Sequence, residues 1–359
     1  MIQYKKKRSN NFIKLFLIFT FIIIIFLTFT IQNLYNLLYI NMKSFPINCF
    51  KQIYFYHKKN KYINNYNNKK LINITLSLDN NIIYETLVVM SSVLVNNDQN
   101  KHFIIFYLLL SNDFDSRNIK IFESLKLKFQ LIIYYYYIPD LFNCLKKWRY
   151  NSTAIYFKLL IPILIPNIKK IIHLDGDTLV FKDLWELFNL PFEGNYLLAQ
   201  PTKEYIFKDK KMTKRVINVG VMLINIEKMR KDNKDFEIFY YLYNKNFTEQ
   251  LVLNYVCYPK IGYLPFKYGM FAGIHKKNNQ YLGYRKMKLN KKVNITEVIE
   301  AIKDPSIVHV LACIPKYWYR RNRTKDKNSY EICIKFQHFF YFYAKQTNYY
   351  KIIYNKFMK

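Results

Sequence analysis

The sequence predicts an α/β domain built on a mostly parallel central sheet with helices on its faces. Short apolar runs alternate with segments in which apolar residues recur at helical spacing, beginning with residues 71–78 and 82–95. Continuous apolar runs are typical of parallel strands buried on both faces, and their alternation with helices favours right-handed crossovers. A hydrophobic fraction of 51% over 359 residues is enough for one large core.

The first half of the chain carries clear end signals for its elements. Asp79 begins the polar turn after the first strand, and Pro166 ends a helix that residues 151–153 cap. The strand after this helix runs directly into Asp175. We expect strands at residues 71–78, 103–110, 131–138 and 169–174, and helices at residues 82–95 and 114–129.

The second half has shorter elements and ends in an aromatic, basic extension. Gly220 interrupts a strand-like run, which marks either a β-bulge or the close approach of a ligand to the backbone. Residues 262–273 are aromatic, glycine-punctuated and predict a loop. The extension, residues 326–359, fits either a helix lying against lipid headgroups or a final packed helix. An apolar run at residues 178–181 leaves the acidic turn, and we expect strands at residues 196–200, 215–225 and 306–311, and helices at residues 182–188, 232–246, 249–256 and 296–303.

The N-terminal segment predicts a membrane anchor. A basic tail, residues 1–11, precedes the span at residues 12–31, in which residues 15–31 carry no charge and approach the length that a bilayer helix needs. Basic residues before the span place the N-terminus in the cytoplasm, which predicts a single-pass type II protein with its body in the lumen of the Golgi or ER. A cleaved signal peptide is the alternative. Residues 32–70 predict a stem or linker.

The chain is strongly basic, with 56 Lys and Arg against 24 Asp and Glu and a net charge of +32. Nucleic acid, an anionic membrane surface or a biased composition would each account for this charge. The lysines are spread along the whole chain, and a lumenal body excludes nucleic acid, so we expect no nucleic-acid partner. The five scattered cysteines exclude a zinc framework and leave a Cys313–Cys333 disulfide open.

The acidic turn at residues 175–177 predicts a divalent metal site. Asp175 and Asp177 follow a buried strand in a chain where acids are scarce, and Gly176 lets the backbone bend between them. Ligands of open α/β sheets bind beyond the carboxyl ends of such strands. Two hard oxygen ligands on one side of a turn suit Mg²⁺ or Mn²⁺ bridging to a diphosphate. The alternative is an acidic turn that only caps the next element.

Three blocks of the sequence together resemble glycosyltransferase family 8, the retaining nucleotide-sugar transferases that include glycogenin and bacterial lipopolysaccharide galactosyl- and glucosyltransferases. The blocks are residues 169–188, 217–229 and 308–318. The resemblance implies one catalytic domain of the GT-A type, Rossmann-like with a mostly parallel sheet, over residues 71–325. In this member the domain would follow the predicted transmembrane helix.

The resemblance also implies a ligand set around one metal ion. Asp175, Asp177 and His309 match the residues that hold Mn²⁺, with Mg²⁺ as an alternative ion. Other positions match the family's contacts with the UDP-sugar donor. Those contacts are the uridine base for Asp79 and Asn81, the diphosphate for Lys316, and the donor sugar for Asn218 and Gly220; Gly176 completes the cofactor-binding set.

Two positions depart from the family pattern: Lys158, which matches a position near the metal motif, and Glu249. Lys158 stands where the family usually has arginine, so it keeps the charge but loses the bidentate fork. Glu249 stands where the family has aspartate, and Gln250 matches the residue beside the anomeric carbon. The implied catalytic residues are therefore Gln250, Glu249, Asn218 and Lys158.

The implied reaction moves a hexosyl group from the UDP-sugar to a hydroxyl of a glycan, glycolipid or glycoprotein with retention of configuration. Gln250 is a weak nucleophile, which favours attack from the side of the leaving group. Three alternatives remain: a glycosidase, for which Asp175 and Asp177 are too close together, a catalytically inactive relative that binds sugar or acts as a scaffold, and a basic membrane- or nucleic-acid-binding protein. The donor sugar, the acceptor and the oligomeric state are not readable from the sequence.

Overall fold

The computed structural model describes residues 69–145, 152–165, 167–207, 212–245, 247–271, 275–277, 280–283, 287–288, 295–310, 318 and 327–358. The predicted tail, the predicted anchor and nearly all of the predicted stem lie outside these ranges, as does Cys313. No helix within the described ranges is long and apolar enough to cross a bilayer.

The strands of the described chain form one large sheet and two small ones. In chain order they are β1 (Lys70–Leu78), β2 (His102–Ser111), β3 (Leu131–Ile138), β4 (Lys170–Leu174), β5 (Thr178–Val180), β6 (Leu197–Phe207), β7 (Met212–Asn225), β8 (Ile261–Tyr263), β9 (Tyr268–Phe271), β10 (His275–Lys277), β11 (Gln280–Gly283), β12 (Met287–Lys288) and β13 (Ile307–His309). The large sheet has the order β3-β2-β1-β4-β7-β6-β8. Its neighbouring strands pair parallel except on both sides of β7, where they pair antiparallel. The predicted α/β fold with a mostly parallel sheet is therefore confirmed.

The core of this sheet follows from the apolar runs in the sequence. Alternate residues of β1, such as Ile72, Ile74 and Leu76, are fully buried, and β2 is buried along most of its length. Helices cover the strands because both faces are apolar. The helices are α1 (Ile83–Asn96), α2 (Ile119–Glu123), α3 (Ile161–Leu164), α4 (Trp185–Phe188), α5 (Ile226–Lys231), α6 (Lys234–Lys245), α7 (Glu249–Cys257), α8 (Ile295–Lys303), α9 (Lys327–Lys345) and α10 (Tyr350–Met358).

The prediction of one continuous helix at residues 114–129 is wrong. The segment is a 3₁₀ turn at Ser116–Asn118, then α2, then a second 3₁₀ turn at Ser124–Leu127. The Ser124 hydroxyl donates to the carbonyl of Ile121 at 2.6 Å, a local bond that competes with regular helix geometry. The helix predicted before Pro166 is likewise mostly 3₁₀, at Ala154–Leu160, before it continues as α3.

The loop predicted at residues 262–273 is also wrong, because most of the segment pairs as strands. β8 joins the edge of the large sheet beside β6, and β9 joins β13 in a small sheet of order β5-β13-β9. These pairings join segments far apart in sequence, so local patterning did not predict them. The small sheet matters for function because its β13 carries His309.

The C-terminal extension packs onto the domain, which supports the packed-helix alternative. Phe340, Ala344, Ile353 and Phe357 are all buried within the described core. Helix α9 lies against α1, where the hydroxyl of Ser91 donates to the carbonyl of Tyr343 at 3.0 Å.

Candidate active site

The acidic turn lies where the sequence predicts it, at the carboxyl end of β4. The turn is closed by Thr178, whose backbone N–H and hydroxyl both donate to the carbonyl of Asp175, at 3.1 and 2.8 Å. The N–H of Asp175 donates to the carbonyl of Gly220 at 2.8 Å, which ties the turn to β7. The chain then continues into β5, and the pairing of β5 with β13 places His309 opposite Thr178. This register brings the imidazole to the turn.

Asp175, Asp177 and His309 converge on one point. Each offers one ligand atom, and these atoms all lie within 4.8 Å of one another. His309 Nε2 is 2.9 Å from Asp177 Oδ1 and 4.0 Å from Asp175 Oδ2. Ligands around an octahedral Mg²⁺-sized ion lie about 2.1 Å from it, and therefore about 3 to 4 Å from one another. The three side chains fit a divalent ion without rearrangement of the backbone.

Asn218 orients the imidazole of His309. The backbone N–H of Gly220 donates to Asn218 Oδ1 at 2.9 Å, and this oxygen lies 3.1 Å from His309 Nδ1. Because the oxygen only accepts, Nδ1 carries a proton, and Nε2 is the ring nitrogen that faces the Asp177 carboxylate. A lone pair facing a carboxylate needs a cation or a proton between them, as in metal sites where a second hydrogen bond fixes the tautomer of a ligating histidine.

Gly220 makes room for this arrangement. A Cβ atom at that position would lie 2.6 Å from His309 Nδ1 and 2.8 Å from Asp175 Oδ2, closer than real Cβ contacts allow. The predicted interruption of the strand at Gly220 therefore has a physical reason, since only glycine lets β7 approach two candidate ligands at once.

Asp175 is held by two groups on its side away from the imidazole. Lys158 Nζ lies 2.6 Å and His173 Nε2 3.1 Å from Asp175 Oδ1. Burial alone would raise the pKa of Asp175, but the Lys158 ammonium and the hydrogen bond with His173 hold that pKa below its usual value. Burial, together with the Lys158 charge, lowers the pKa of His173 to about 4, so its imidazole is neutral. Asp175 is therefore an ionised candidate ligand whose carboxylate is held in a fixed direction.

His173 was not among the sequence-predicted site residues, whereas Lys158, which the resemblance places near the metal motif, lies beside Asp175. His173 is fully buried and lies two residues before Asp175, and the period of two along a strand puts both on one face. That spacing is the signal that would have found it. Lys158 is buried, with its ammonium group against Asp175, and it also donates to the carbonyl of Val219 at 3.3 Å.

Glu249 and Gln250 reach the site from the start of α7. The hydroxyl of Thr248 caps this helix by accepting from Leu251 N–H at 3.2 Å. The side chain of Asn254 fixes the helix to β7 through both backbone groups of Ile217, at 2.8 and 3.2 Å. Burial raises the pKa of Glu249, and the charge of Lys158 opposes that rise.

Asp79 and Asn81 form the turn that follows β1. The backbone N–H of Asn81 donates to Asp79 Oδ1 at 2.9 Å, and its side-chain amide donates to Asp79 Oδ2 at 3.2 Å. These two hydrogen bonds cap the turn, and both residues also face the same cavity as the candidate metal ligands Asp175, Asp177 and His309. Asp79 and Asn81 can therefore both stabilise the turn and contact a ligand in the cavity.

One cavity of about 450 Å³ joins these groups. All the predicted site residues line it except Lys316, which lies outside the described residues. The sequence did not single out several of its other lining residues, which include Ser77, Ile82, Glu85, Ser152 and Trp318. The volume is in the range of pockets that bury a ligand of nucleotide-sugar size.

The family model described as glycosyl transferase family 8 matches residues 73–322 of this chain. A candidate glycosyltransferase of Haemophilus influenzae is 26% identical over 207 residues, which cover 54% of this chain and 61% of that protein. The chain thus spans less than two thirds of that relative. A lipopolysaccharide 1,2-glucosyltransferase of Escherichia coli is 24% identical over 236 residues, covering 59% of this chain and 68% of the enzyme.

A solved structure supports the fold. The crystal structure of an active-site mutant of LgtC superposes with a TM-score of 0.59 at 17% sequence identity, covering 74% of this chain and 96% of LgtC. At that identity the likeness concerns the fold alone, an α/β arrangement of the GT-A type.

Proposed function

This chain belongs to glycosyl transferase family 8, and from that membership we propose that it transfers a hexosyl group from a UDP-sugar to an acceptor hydroxyl with retention of the anomeric configuration. The observation that carries the proposal is the cluster of Asp175, Asp177 and His309 in the wall of a nucleotide-sized cavity. The glucosyltransferase name of the E. coli relative favours a hexose donor. The acceptor would be a glycan, glycolipid or glycoprotein.

Asp175, Asp177 and His309 would hold Mn²⁺, or Mg²⁺ in its place. When bound, the ion neutralises the charge that gathers on the diphosphate as the glycosidic bond breaks. The chain's own contribution is preorganisation: Asn218 sets the imidazole tautomer, and Lys158 with His173 keeps Asp175 ionised and aimed. Groups fixed before the reaction stabilise developing charge without reorganising during it.

The order of strands in the sheet supports one direction for the donor. Asp79 and Asn81 follow β1, the acidic turn follows β4, and Asn218 lies on β7, and these three strands are neighbours in that order. A donor lying across them would place its nucleoside over β1, its diphosphate over β4 and its sugar beside β7. Nucleotide ligands usually bind beyond the carboxyl ends of parallel strands, here β1 and β4, and the antiparallel β7 lies next to β4.

Retention would follow from attack on the same face as the leaving group. The amide of Gln250 is a weak nucleophile, so a covalent intermediate on it is disfavoured. Gln250 lies in the first turn of α7, which Asn254 fixes to β7, and the Asn254 side chain donates to the carbonyl of Gln250 at 2.7 Å. We assign Gln250 and Glu249 to holding the sugar while a phosphate oxygen of the departing UDP accepts the proton of the acceptor hydroxyl.

The experiment is a donor panel with matched variants. UDP-glucose, UDP-galactose, UDP-xylose and UDP-GlcNAc are each incubated with the protein, with and without Mn²⁺, and UDP release is measured. We expect release from one hexose donor, dependent on Mn²⁺ and lost in Asp177→Asn. The exposed Asp140→Asn serves as the matched control. If no donor is cleaved while UDP still binds, the inactive-relative alternative replaces the transferase.

The membrane anchor remains part of the proposal. The charge-free run at residues 15–31, preceded by basic residues, supports a type II protein with a lumenal catalytic domain in the Golgi or ER. Protease protection of the C-terminus in sealed microsomes tests this topology. Digestion of the C-terminus in intact vesicles would contradict it.

A further inference from the structure

The last two helices of the chain reach the nucleoside end of the cavity. Residues 327–358 lie beyond the stretch that matches the family, which ends at residue 322. Helix α9 packs on α1 through hydrogen bonds to Tyr343, whose hydroxyl accepts from the side chain of Asn96 at 2.8 Å. Helix α10 then delivers Lys356, whose Nζ donates to the carbonyl of Asn81 at 3.3 Å. The extension therefore contacts the turn proposed to meet the nucleoside.

Lys356 also faces Glu85, a carboxyl group in an unusual position. Glu85 is only 2% exposed, lies on the first turn of α1 and lines the cavity. Its Oε2 makes no hydrogen bond within the described residues, and Lys356 Nζ lies 3.7 Å away, beyond hydrogen-bond distance. A buried polar oxygen without a donor is costly, so a donor from a ligand would stabilise it.

Ser77 provides a second polar atom of the same kind. It lies near the end of β1 and lines the same cavity, and its hydroxyl has no hydrogen-bond partner among the described residues. Two buried polar atoms that lack a hydrogen-bond partner among the described residues, one of them only at ion-pair distance from Lys356, indicate a polar ligand at this end of the cavity, since most buried polar atoms in proteins are hydrogen-bonded.

We propose that Glu85 and Lys356 form a recognition pair for the nucleoside moiety of the donor. The Glu85 carboxyl accepts a hydrogen bond from a nucleoside hydroxyl or ring N–H, while Lys356 holds both that carboxyl and the carbonyl of Asn81 in place. Lys356 thus acts as a positioning residue supplied by the C-terminal extension. This inference rests on the proposed function, because it assigns a nucleotide to the same cavity.

Two further observations favour a nucleoside over a phosphate as the ligand group. Glu85 belongs to the helix after β1, one strand away from the metal cluster, and a carboxylate would repel a phosphate. Burial raises the pKa of Glu85 to about 7, with Lys356 opposing the rise and Asp79 adding to it. With this pKa, the Glu85 carboxyl group is partly protonated and partly negative near pH 7, and in either form it can accept a hydrogen bond from a hydroxyl or N–H group.

The test compares UMP without metal and UDP with Mn²⁺, by calorimetric titration of the full chain and its variants. The variants are Glu85→Met, Lys356→Met, Lys356→Arg and the control Lys351→Met, an exposed lysine on the same helix. We expect Glu85→Met and Lys356→Met each to lower the binding affinity for UMP and for UDP by about three- to tenfold, which corresponds to the loss of roughly one hydrogen bond. Lys356→Arg restores binding, and Lys351→Met leaves it unchanged.

An equal loss of affinity for UMP and for UDP separates this role from that of the metal site. Variants of the metal site should lower the affinity for UDP in the presence of Mn²⁺ and leave the affinity for UMP unchanged. Glu85→Met should also unfold at a higher temperature than the wild type, so that weaker binding there is not a folding defect. Binding by Glu85→Met and Lys356→Met as tight as that of the wild type would overturn the inference while leaving the transferase intact. A wild type that binds neither UMP nor UDP would overturn both this inference and the proposed transferase function. An equal loss of affinity in Lys351→Met would indicate only a general effect of positive charge and would contradict a specific role for Glu85 and Lys356.

Discussion

His309 Nε2 lies 2.9 Å from Oδ1 of Asp177, although 132 positions separate the two residues in the chain. The contact exists because β5, which leaves the acidic turn, pairs with β13. The N–H of Val310 donates to the carbonyl of Asp177 at 3.0 Å and closes the arrangement on the backbone. A buried imidazole and two carboxylates are thus held together by the sheet itself, which gives the site its rigidity.

Gly220→Ala should disable the site although it replaces none of the three candidate metal ligands. The new Cβ would meet His309 Nδ1 and Asp175 Oδ2 at less than 3 Å, so at least one ligand must move. A displacement of this size should lower turnover by about 100-fold. The matched change is Gly176→Ala, where the nearest atom is the flexible Ile82 Cδ1 at 3.4 Å. Turnover and Mn²⁺ binding by both variants check the prediction, and similar losses in the two would contradict it.

Lys158→Met should destabilise the fold and the metal site together. The Lys158 side chain is 2% exposed and pairs with Asp175, so its loss removes the charged partner of a carboxylate that then keeps only the neutral His173 beside Oδ1. We expect the free energy of unfolding at pH 7 to fall by about 3 kcal/mol, discounted because Asp175 keeps partial access to solvent. Urea unfolding measures the change. Lys158→Arg keeps the charge and should retain most of the stability; equal stability of Lys158→Met and wild type would refute the pairing.

The same pair predicts a pH dependence with a defined sign. The pKa of Asp175 in the folded chain lies below its usual value of 3.8, so its contribution to stability is present above that pH and is lost as pH falls. Lys158→Met lacks the contribution. The stability difference between wild type and variant should therefore shrink as pH falls below 3.8. A difference that stays constant from neutral pH to acid would contradict the assignment.

Glu85→Gln should show the opposite dependence. The folded pKa is about 7 against 4.5 for the free side chain, so between these values the folded chain keeps a proton that the unfolded chain has released. The free energy of unfolding of the wild type therefore falls across that window as pH rises, by up to about 3 kcal/mol from this group. Glu85→Gln cannot titrate, so its stability relative to wild type should rise from pH 4.5 and level off above pH 7. The exposed Glu300→Gln is the control, and a flat difference for Glu85→Gln would contradict the prediction.

Local patterns predicted the parts of the fold that local physics determines. The strand at residues 131–138 was predicted with its observed ends, and the acidic turn after β4 is where scarce carboxylates followed an apolar run. His309 was assigned through the family resemblance, since no local signal links it to the turn. Residues 262–273 were misread because β9 gains its strand geometry from pairing with β13, which the sequence does not display.

The candidate metal ligands were identified at the sequence level, whereas most of the contacts that hold the site residues in place were not. His173 was within reach, because a residue two positions before Asp175 shares its face of the strand. Lys158 against Asp175 and Lys356 against Glu85 depend on tertiary packing between distant segments, 17 and 271 positions apart. Such contacts fix charge and orientation at the site and have no signature in spacing.

The most direct measurement is titration of the protein with Mn²⁺ in the presence of UDP, followed by electron paramagnetic resonance, for the wild type and His309→Leu. The account predicts one saturable Mn²⁺ site in the wild type, whose affinity falls sharply in a folded His309→Leu. Equal Mn²⁺ affinity in the two proteins would contradict the claim that Asp175, Asp177 and His309 bind one ion.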